Sequence, residues 1–340
     1  MKFGPTSLEK AEGKILGHNI AGPEGRRALR KGRPLTADDI DRLRKIGRTM
    51  VYVAELEPGD IDEDAAARRL AEAAAGDGVR LSGSRTGRVN LLATRAGVFR
   101  VDAARLTRIN EFDGLTIATL LCHTAVRPRQ TVATVKIIPF AVPEAIVRHA
   151  ETVASEGGAL VRVDPLPPRK VALILSGSPA VHEKVRRDFL PLVQRVETLG
   201  SHLIDTEYIS LEDESGETAL ADALARLHQQ GVDLVLLAGE TAIMDVHDVA
   251  PRAIERAGGR VERLGSPVDP GNLLMLAYLG DMPILGAPGC ARSRKTNVVD
   301  WVLPRLLAGD HLTRSDIVSL GHGGLLEDVP ERPMPRERLK

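Results

Sequence analysis

The residues best suited to chemistry gather in four glycine-bearing segments of the C-terminal half. They are Ser176-Gly-Ser-Pro179, Ala238-Gly-Glu-Thr-Ala-Ile-Met-Asp-Val-His-Asp248, Pro267-Val-Asp-Pro-Gly-Asn272 and Gly286-Ala-Pro-Gly-Cys-Ala-Arg-Ser293. Ser176, Gly177 and Ser178 offer hydroxyls and unhindered N–H groups to an anion, or else make an ordinary N-cap turn. Gly286 and Gly289, on either side of Pro288, permit close backbone approach, while Arg292 adds a forked donor and Ser293 a hydroxyl. A helix expected from about residue 294 would aim its positive end at the same point, so an oxyanion or phosphate suits this loop. Asp245 and Asp248 are the candidate catalytic pair. They would hold Mg²⁺ or accept hydrogen bonds from the amino groups of a heterocycle, unless Asp248 only caps the next helix. In the same loop Gly239 and Thr241 can reach a ligand, whereas the charge of Glu240 opposes an anion. Asp269, Pro270, Gly271 and Asn272 form a stiff loop that presents a carboxylate or only fixes a turn. Cys290 is a soft ligand for molybdenum, a nucleophile, or a small buried residue. Earlier in the chain, Ser82-Gly-Ser-Arg-Thr-Gly-Arg88 is a basic loop able to reach a ligand, and His18 and Lys136 read as structural.

The elements around these loops alternate. Strands at Val171–Leu175, His202–Tyr208 and Asp233–Ala238 are separated by helices at about 180–199 and 216–230, with a further helix at about 248–257. That order predicts right-handed crossovers and a largely parallel sheet covered on both faces, with the four loops at the strand ends where ligands bind. After Arg260–Leu264 a hairpin is expected, Leu273–Tyr278 with Pro283–Leu285, turning at Gly280-Asp281, then a helix at about 294–308 carrying Trp301. The fold expected for 171–308 is therefore a three-layer α/β/α domain. Asp164-Pro-Leu-Pro-Pro-Arg-Lys170 is the expected linker, because closely spaced prolines cannot continue a helix or a central strand. Before it, 1–163 reads as an α+β domain. Helices are expected at 36–47, with Thr36 and Asp39 as a capping box, at 62–75 closed by Gly76, and at Pro143–Ser155. Strands are expected at Met50–Ala54, Leu115–Leu121 and Thr131–Phe140. Residues 309–340 read as a tail whose end, Glu327–Lys340, is unlikely to pack.

Composition excludes some functions. The 340 residues hold 46 Lys+Arg and 46 Asp+Glu, and such balance argues against a nucleic-acid or membrane-surface binder, although a local basic cleft stays open. Aromatics at 3% leave little for stacking on bases. No apolar run reaches the roughly 18 to 20 residues of a bilayer span, and Cys122 and Cys290 are too few for a disulfide framework. A cytoplasmic protein is expected.

At the four loops the sequence resembles the MoeA/MogA-type molybdopterin-binding family. The matching residues are Ser176 to Ser178, Ala238-Gly239 with Asp248, Pro270-Gly271-Asn272, and Gly286-Ala-Pro-Gly-Cys290. Asp248-Val-Ala-Pro-Arg-Ala253, Gly258-Gly259, Pro267 to Leu274, Gly286 to Ser293 and Asp300-Trp301 are similar to the molybdopterin-binding half of proteins linked to molybdenum cofactor cytidylyltransferases. Lys2-Phe-Gly4, Ala11-Glu-Gly13, Lys31-Gly32 and Val132 to Pro139 resemble their N-terminal part. The resemblance implies a MogA-like fold at 171–308, molybdopterin or molybdenum cofactor as ligand, a nucleotidyltransferase or molybdoenzyme as partner, and a homo-oligomer. It also implies two alternatives, a Mg²⁺-dependent molybdotransferase or nucleotidyltransferase, or a cofactor-sensing interaction protein. Ala238 in place of a glycine, Glu240, and Cys290 in place of an asparagine depart from the family pattern, and they favour binding over catalysis.

Overall fold

The computed structural model describes residues 1–23, 25–210 and 214–326, with backbone alone at Glu214. The expected unpacked end, Glu327–Lys340, lies outside the described residues. Residues 1–164 form one compact unit and the chain from Pro165 another. Among the described residues no helix is long and apolar enough to cross a membrane.

The first unit mixes helices with several short sheets. Lys2–Ser7 and Ile15–Leu16 flank Met50–Glu55, all antiparallel. The helix Ala37–Lys45 covers their inner face, and it starts where the sequence requires. Thr36 accepts the Asp39 N–H, Asp39 accepts the Thr36 N–H, and Leu43 is fully buried beside Leu16 and Val53. A second sheet runs in the order Leu115–Thr119, Thr131–Ile137, Arg88–Ala93, Val79–Leu81, so the expected Leu115 and Thr131 strands do pair. The alanine-rich helix Glu63–Ala74 lies on it with Ala66, Ala67, Ala71 and Ala74 buried, and Arg69 ties it to Glu144 and Glu151 of the helix Glu144–Ser155. Gly76 does not close that helix. Ala75 is already extended, and a Cβ at Gly76 would lie 2.4 Å from the Cβ of Ala159, so the glycine serves a close approach. The expected linker is not irregular at its start: Asp164 and Pro165 end the strand Val161–Pro165, where a missing N–H costs little.

The second unit is built on six strands: β1 (Lys170–Ser176), β2 (His202–Ile209), β3 (Leu234–Gly239), β4 (Arg260–Leu264), β5 (Met275–Leu279) and β6 (Met282–Gly286). Their order is β2-β1-β3-β6-β5-β4. Strands β2, β1, β3 and β6 pair in parallel, whereas β5 runs against both of its neighbours. Helices α1 (His182–Asp188), α2 (Leu190–Thr198), α3 (Glu214–Gln229), α4 (Val249–Arg256), α5 (Val299–Ala308) and α6 (Arg314–Val318) complete it. Val171, Leu173 and Leu175 pack with residues of α1, α2, α5 and α6, while Ala172 and Ile174 pack with residues of α3 and α4. Alternate residues of one strand thus enter two apolar clusters, which explains the uninterrupted apolar run in sequence. Each fully buried Val, Leu or Ile contributes roughly 1.5–3 kcal/mol.

Three expectations are corrected here. The single helix at 180–199 is instead a 3-10 turn, Pro179–Val181, followed by α1 and α2, with a break at Phe189. Pro191 lacks an N–H and its ring clashes with the carbonyl four residues back, so the helix cannot run through. The helix expected from residue 294 starts only at Val299, because Asn297 accepts the Val299 N–H and Asp300 accepts the Asn297 N–H. The tail expected from 309 is packed as far as 326: Leu312 and Ile317 are buried, and Leu325 bridges to Asp269.

Candidate functional site

At the carboxyl ends of β1, β3 and β6 lies a cavity of about 110 Å³. Its floor is apolar, with Ile174, Leu237 and Leu220, and its polar lining comes from Ser176, Thr241 and Asp248. Gly239 and Ala287 complete the wall between the strands. A Cβ at Gly239 would lie 2.4 Å from Ser176 Oγ, so glycine here leaves that hydroxyl its place in the cavity between the paired strand ends. At about 30 Å³ per water the space suits a phosphate-sized group or one edge of a ring. It is below the roughly 300–1,000 Å³ of pockets that swallow a whole small molecule.

Of the residues singled out in the sequence, Ser176, Gly239, Thr241 and Asp248 line this cavity. The others serve the loops themselves. The Ser178 N–H, expected to face an anion, donates to Glu240 Oε2 at 3.0 Å, and Tyr208 Oη donates to Ser178 O at 2.7 Å. A Cβ at Gly177 would meet Tyr208 Oη at 2.7 Å and Glu240 Oε2 at 3.1 Å, so Gly177 is where that carboxylate and phenol close on the loop. Tyr208 was not foreseen, since nothing in its strand distinguishes a loop-capping phenol from a packed one. Arg292 is likewise turned inward. Its Nη2 donates to Gly239 O at 2.6 Å and Glu240 O at 2.8 Å, its guanidinium lies 5.0 Å from the Phe189 ring, and its buried Nε has no partner among the described residues. The positive end of α5 is not presented to the loop as expected. Asn297 accepts the Val299 N–H of its first turn, while Asp300 accepts the Asn297 N–H and pairs with Arg195.

Asp245 and Asp248 do not form one metal site at the cavity. Asp245 is exposed and accepts the His247 N–H, while Asp248 begins α4 and accepts the Met244 N–H. Among the described residues no three His, Cys, Asp or Glu side chains gather to hold a metal. Asp269, Pro270, Gly271 and Asn272 form a braced turn. The Asp269 N–H donates to Gly324 O, the Leu326 N–H donates to Asp269 O, and a Cβ at Gly271 would meet Val298 Cγ1 at 2.4 Å. Gly286 is packed against Ile243 and Met275, whereas Gly289 faces open space and Ser293 accepts the Lys295 N–H. Burial pushes the Cys290 thiol up, with Asp269 and Asp300 adding to it, so the thiolate needed for attack or metal binding is disfavoured. In the first unit the loop Ser82–Arg88 is pinned rather than free: Asp64 accepts from Ser84 Oγ and the Gly87 N–H, and Lys136 bridges Glu63 and Thr86 O.

A family model described as a domain of unknown function (DUF8806) matches residues 5–55. A search among curated proteins gives no match. Among solved structures the chain is similar to a molybdenum cofactor biosynthesis protein from Pyrococcus furiosus, at 12% identity and a TM-score of 0.25 over 94% of this chain. It spans 65% of that protein's length. It is also similar to a molybdopterin biosynthesis moeA protein from Pyrococcus horikoshii OT3, at 10% identity and a TM-score of 0.27, covering 94% of this chain and 75% of the other. Scores of this size transfer neither fold nor activity.

Proposed function

We propose that the unit beginning at Pro165 is a three-layer α/β/α domain that binds molybdopterin or its molybdenum cofactor during cofactor maturation, and presents it to a nucleotidyltransferase or molybdoenzyme. The observation that carries this reading is the cavity at the carboxyl ends of β1, β3 and β6, which brings Ser176, Gly239, Thr241 and Asp248 of the resembling loops to one place. The Ser176 and Thr241 hydroxyls would hold one polar edge of the ligand. The Asp248 carboxylate would accept from its amino group. The rest of the pterin would lie across the rim, since the cavity admits only a small group. Cargo binding is favoured over turnover because Asp245 and Asp248 accept backbone N–H groups of their own loop, Glu240 accepts the Ser178 N–H of the neighbouring loop, and the Cys290 thiol is held protonated.

Equilibrium dialysis of the full chain against molybdopterin under anaerobic conditions tests the proposal. Saturable binding is expected, weakened roughly tenfold by Thr241→Val and by Asp248→Asn, with no nucleotide consumed when Mg·ATP or Mg·CTP is added. No binding by the unmodified chain would overturn it. Nucleotide turnover abolished by Asp248→Asn would replace it with an enzymatic role.

A further inference from the structure

Average composition conceals a strong local bias: residues 1–50 carry twelve Lys+Arg against six Asp+Glu. The outer face of the sheet in this region also exposes aromatic rings. Phe3 and Tyr52 are each 47% exposed and Met50 is 55% exposed, all on adjacent antiparallel strands. His18 completes the group, with ring centroids 5.6 Å from Phe3 and 5.3 Å from Tyr52. Gly17 makes room for it, since a Cβ there would lie 2.6 Å from Phe3 Cε2.

A strip of cations runs beside these rings. Gly32 donates its N–H to Leu16 O, Leu16 donates to Arg33 O, and the Lys31 N–H donates to Asn19 Oδ1, so residues 30–33 lie alongside residues 16–19. The hairpin Ile20–Ala21 with Arg27–Leu29 joins the two segments. Arg26, Arg27, Arg30 and Lys31 are exposed, and among the described residues none of the four forms an ion pair, whereas Arg33 is held by Asp39. Exposed cations that form no ion pair among the described residues, on the hairpin and loop next to exposed rings, make a surface for a flexible polyanion that also carries planar rings. Phosphates pair with the strip and bases stack on the rings.

We propose that Phe3, His18 and Tyr52, with Arg26, Arg27, Arg30 and Lys31, form a binding surface for single-stranded nucleic acid. The rings stand in the open beside the cations. The surface lies wholly within the first unit and is independent of the pterin-binding proposal.

Fluorescence anisotropy of a labelled dozen-nucleotide single strand, DNA or RNA, titrated with the full chain tests this, with heparin as a polyanion lacking bases. Four phosphate contacts predict a slope of log K against log salt of about −3, and Arg30→Ala with Lys31→Ala should flatten it by about 1.4. Tyr52→Ala should weaken the oligonucleotide roughly tenfold, leave heparin unaffected and leave the melting temperature in place, while Tyr52→Phe restores binding. Three results would overturn the proposal. One is absence of oligonucleotide binding. Another is equal loss of heparin and oligonucleotide in Tyr52→Ala. The third is concentration-dependent self-association that Tyr52→Ala abolishes, which would give this face to a second copy of the chain.

Discussion

The two ends of the six-stranded sheet differ in how their open space is built. At the amino ends of β1, β3 and β6 a groove of about 430 Å³ is lined by Arg169, His228, Asp233, Tyr278 and His311. At the carboxyl ends the space is about 110 Å³. Volume alone would place a ligand at the amino end. In the larger groove the side chains are tied to one another and to the core. Arg169 bonds Asp233 and Leu307 O, Asp233 also accepts the Lys170 N–H, and Tyr278 donates to Leu312 O while stacking on His311 at 4.2 Å. These bonds brace strand starts against the segment that follows α5. In the smaller cavity strand ends and loop residues form the wall, and the loops around it are held by a few side chains, Glu240, Arg292, Tyr208 and Asp248, that bond loop backbone. One end is fastened and the other is latched, and only a latch can yield to a ligand.

The largest expected effect belongs to the fastened end. Arg305, only 8% exposed, is shared between Asp310 and Asp316, and Asp316 also completes the capping box of α6 with Thr313. Asp316→Ala removes a cap and half of a buried arginine's partners, and should cost about 2–4 kcal/mol in urea unfolding. Pterin binding should not change; if it falls with stability, the two ends are coupled and the contrast fails. The same residue sets an acid limb. Partial burial pushes the Asp316 carboxyl up, but the Thr313 N–H and hydroxyl and the Arg305 guanidinium outweigh it and lower it to about 2. A depressed carboxylate stabilises the fold above its ordinary value of 3.8 and loses that contribution as pH falls through about 2. The contribution is at most about 2 kcal/mol. The stability gap between the unmodified chain and Asp316→Asn should therefore be full at pH 7 and mostly closed near pH 2.

Gly239→Ala probes the latched end. Its methyl would lie 2.4 Å from Ser176 Oγ, with the Ser176 carbonyl at 3.1 Å. Overpacking of this kind costs about 1–3 kcal/mol. Because the displaced hydroxyl is part of the cavity, ligand binding should be lost even where the chain remains folded. A variant that unfolds more easily yet binds normally would remove the cavity from consideration.

The strands and helices were legible where one physical cause dominates. The unbroken apolar runs of β1 and β3, the Thr36 and Asp39 capping box, and the hairpin turning at Gly280, which has φ +57°, follow from local chemistry. The halving of the helix at 180–199 was legible too, in Pro191, but helical periodicity masked it. The late start of α5 depends on Asn297 and Asp300 bonding each other, a choice between equivalent polar residues that sequence order does not make. At the site, Ser176, Gly239, Thr241 and Asp248 could be read from glycine-bearing strand ends. The inward turn of Arg292 and Glu240 could not. A forked cation and a carboxylate in adjacent loops look the same in sequence whether they await a ligand or bond their own backbone.

Arg292 should matter less than Gly239 and more than Glu240. Removing its guanidinium in Arg292→Ala frees the Gly239 and Glu240 carbonyls and the face of Phe189, a loss of about 1–2 kcal/mol. Hydrogen exchange should quicken at residues 239–241 and remain unchanged at Lys170 and Asp233. Uniform quickening at both ends would show that the arginine supports the whole unit rather than the latch.

The smallest effect is the most direct test of a latch. Glu240 Oε2 sits on the Ser178 N–H where an oxyanion would sit, so a phosphate approaching that loop meets both an occupied donor and a like charge. Glu240→Gln keeps an oxygen acceptor for the N–H but removes the charge. Near a partly exposed loop that repulsion is worth about 0.3–1 kcal/mol, a two- to fivefold gain in affinity for inorganic phosphate. Glu240→Ala frees the N–H as well and should gain more. Calorimetric titration with phosphate should thus rank alanine above glutamine above the unmodified chain, and the gain should shrink in high salt. An equal affinity in all three would mean that Glu240 is a fixed part of the turn, and that the carboxyl end is fastened as firmly as the amino end.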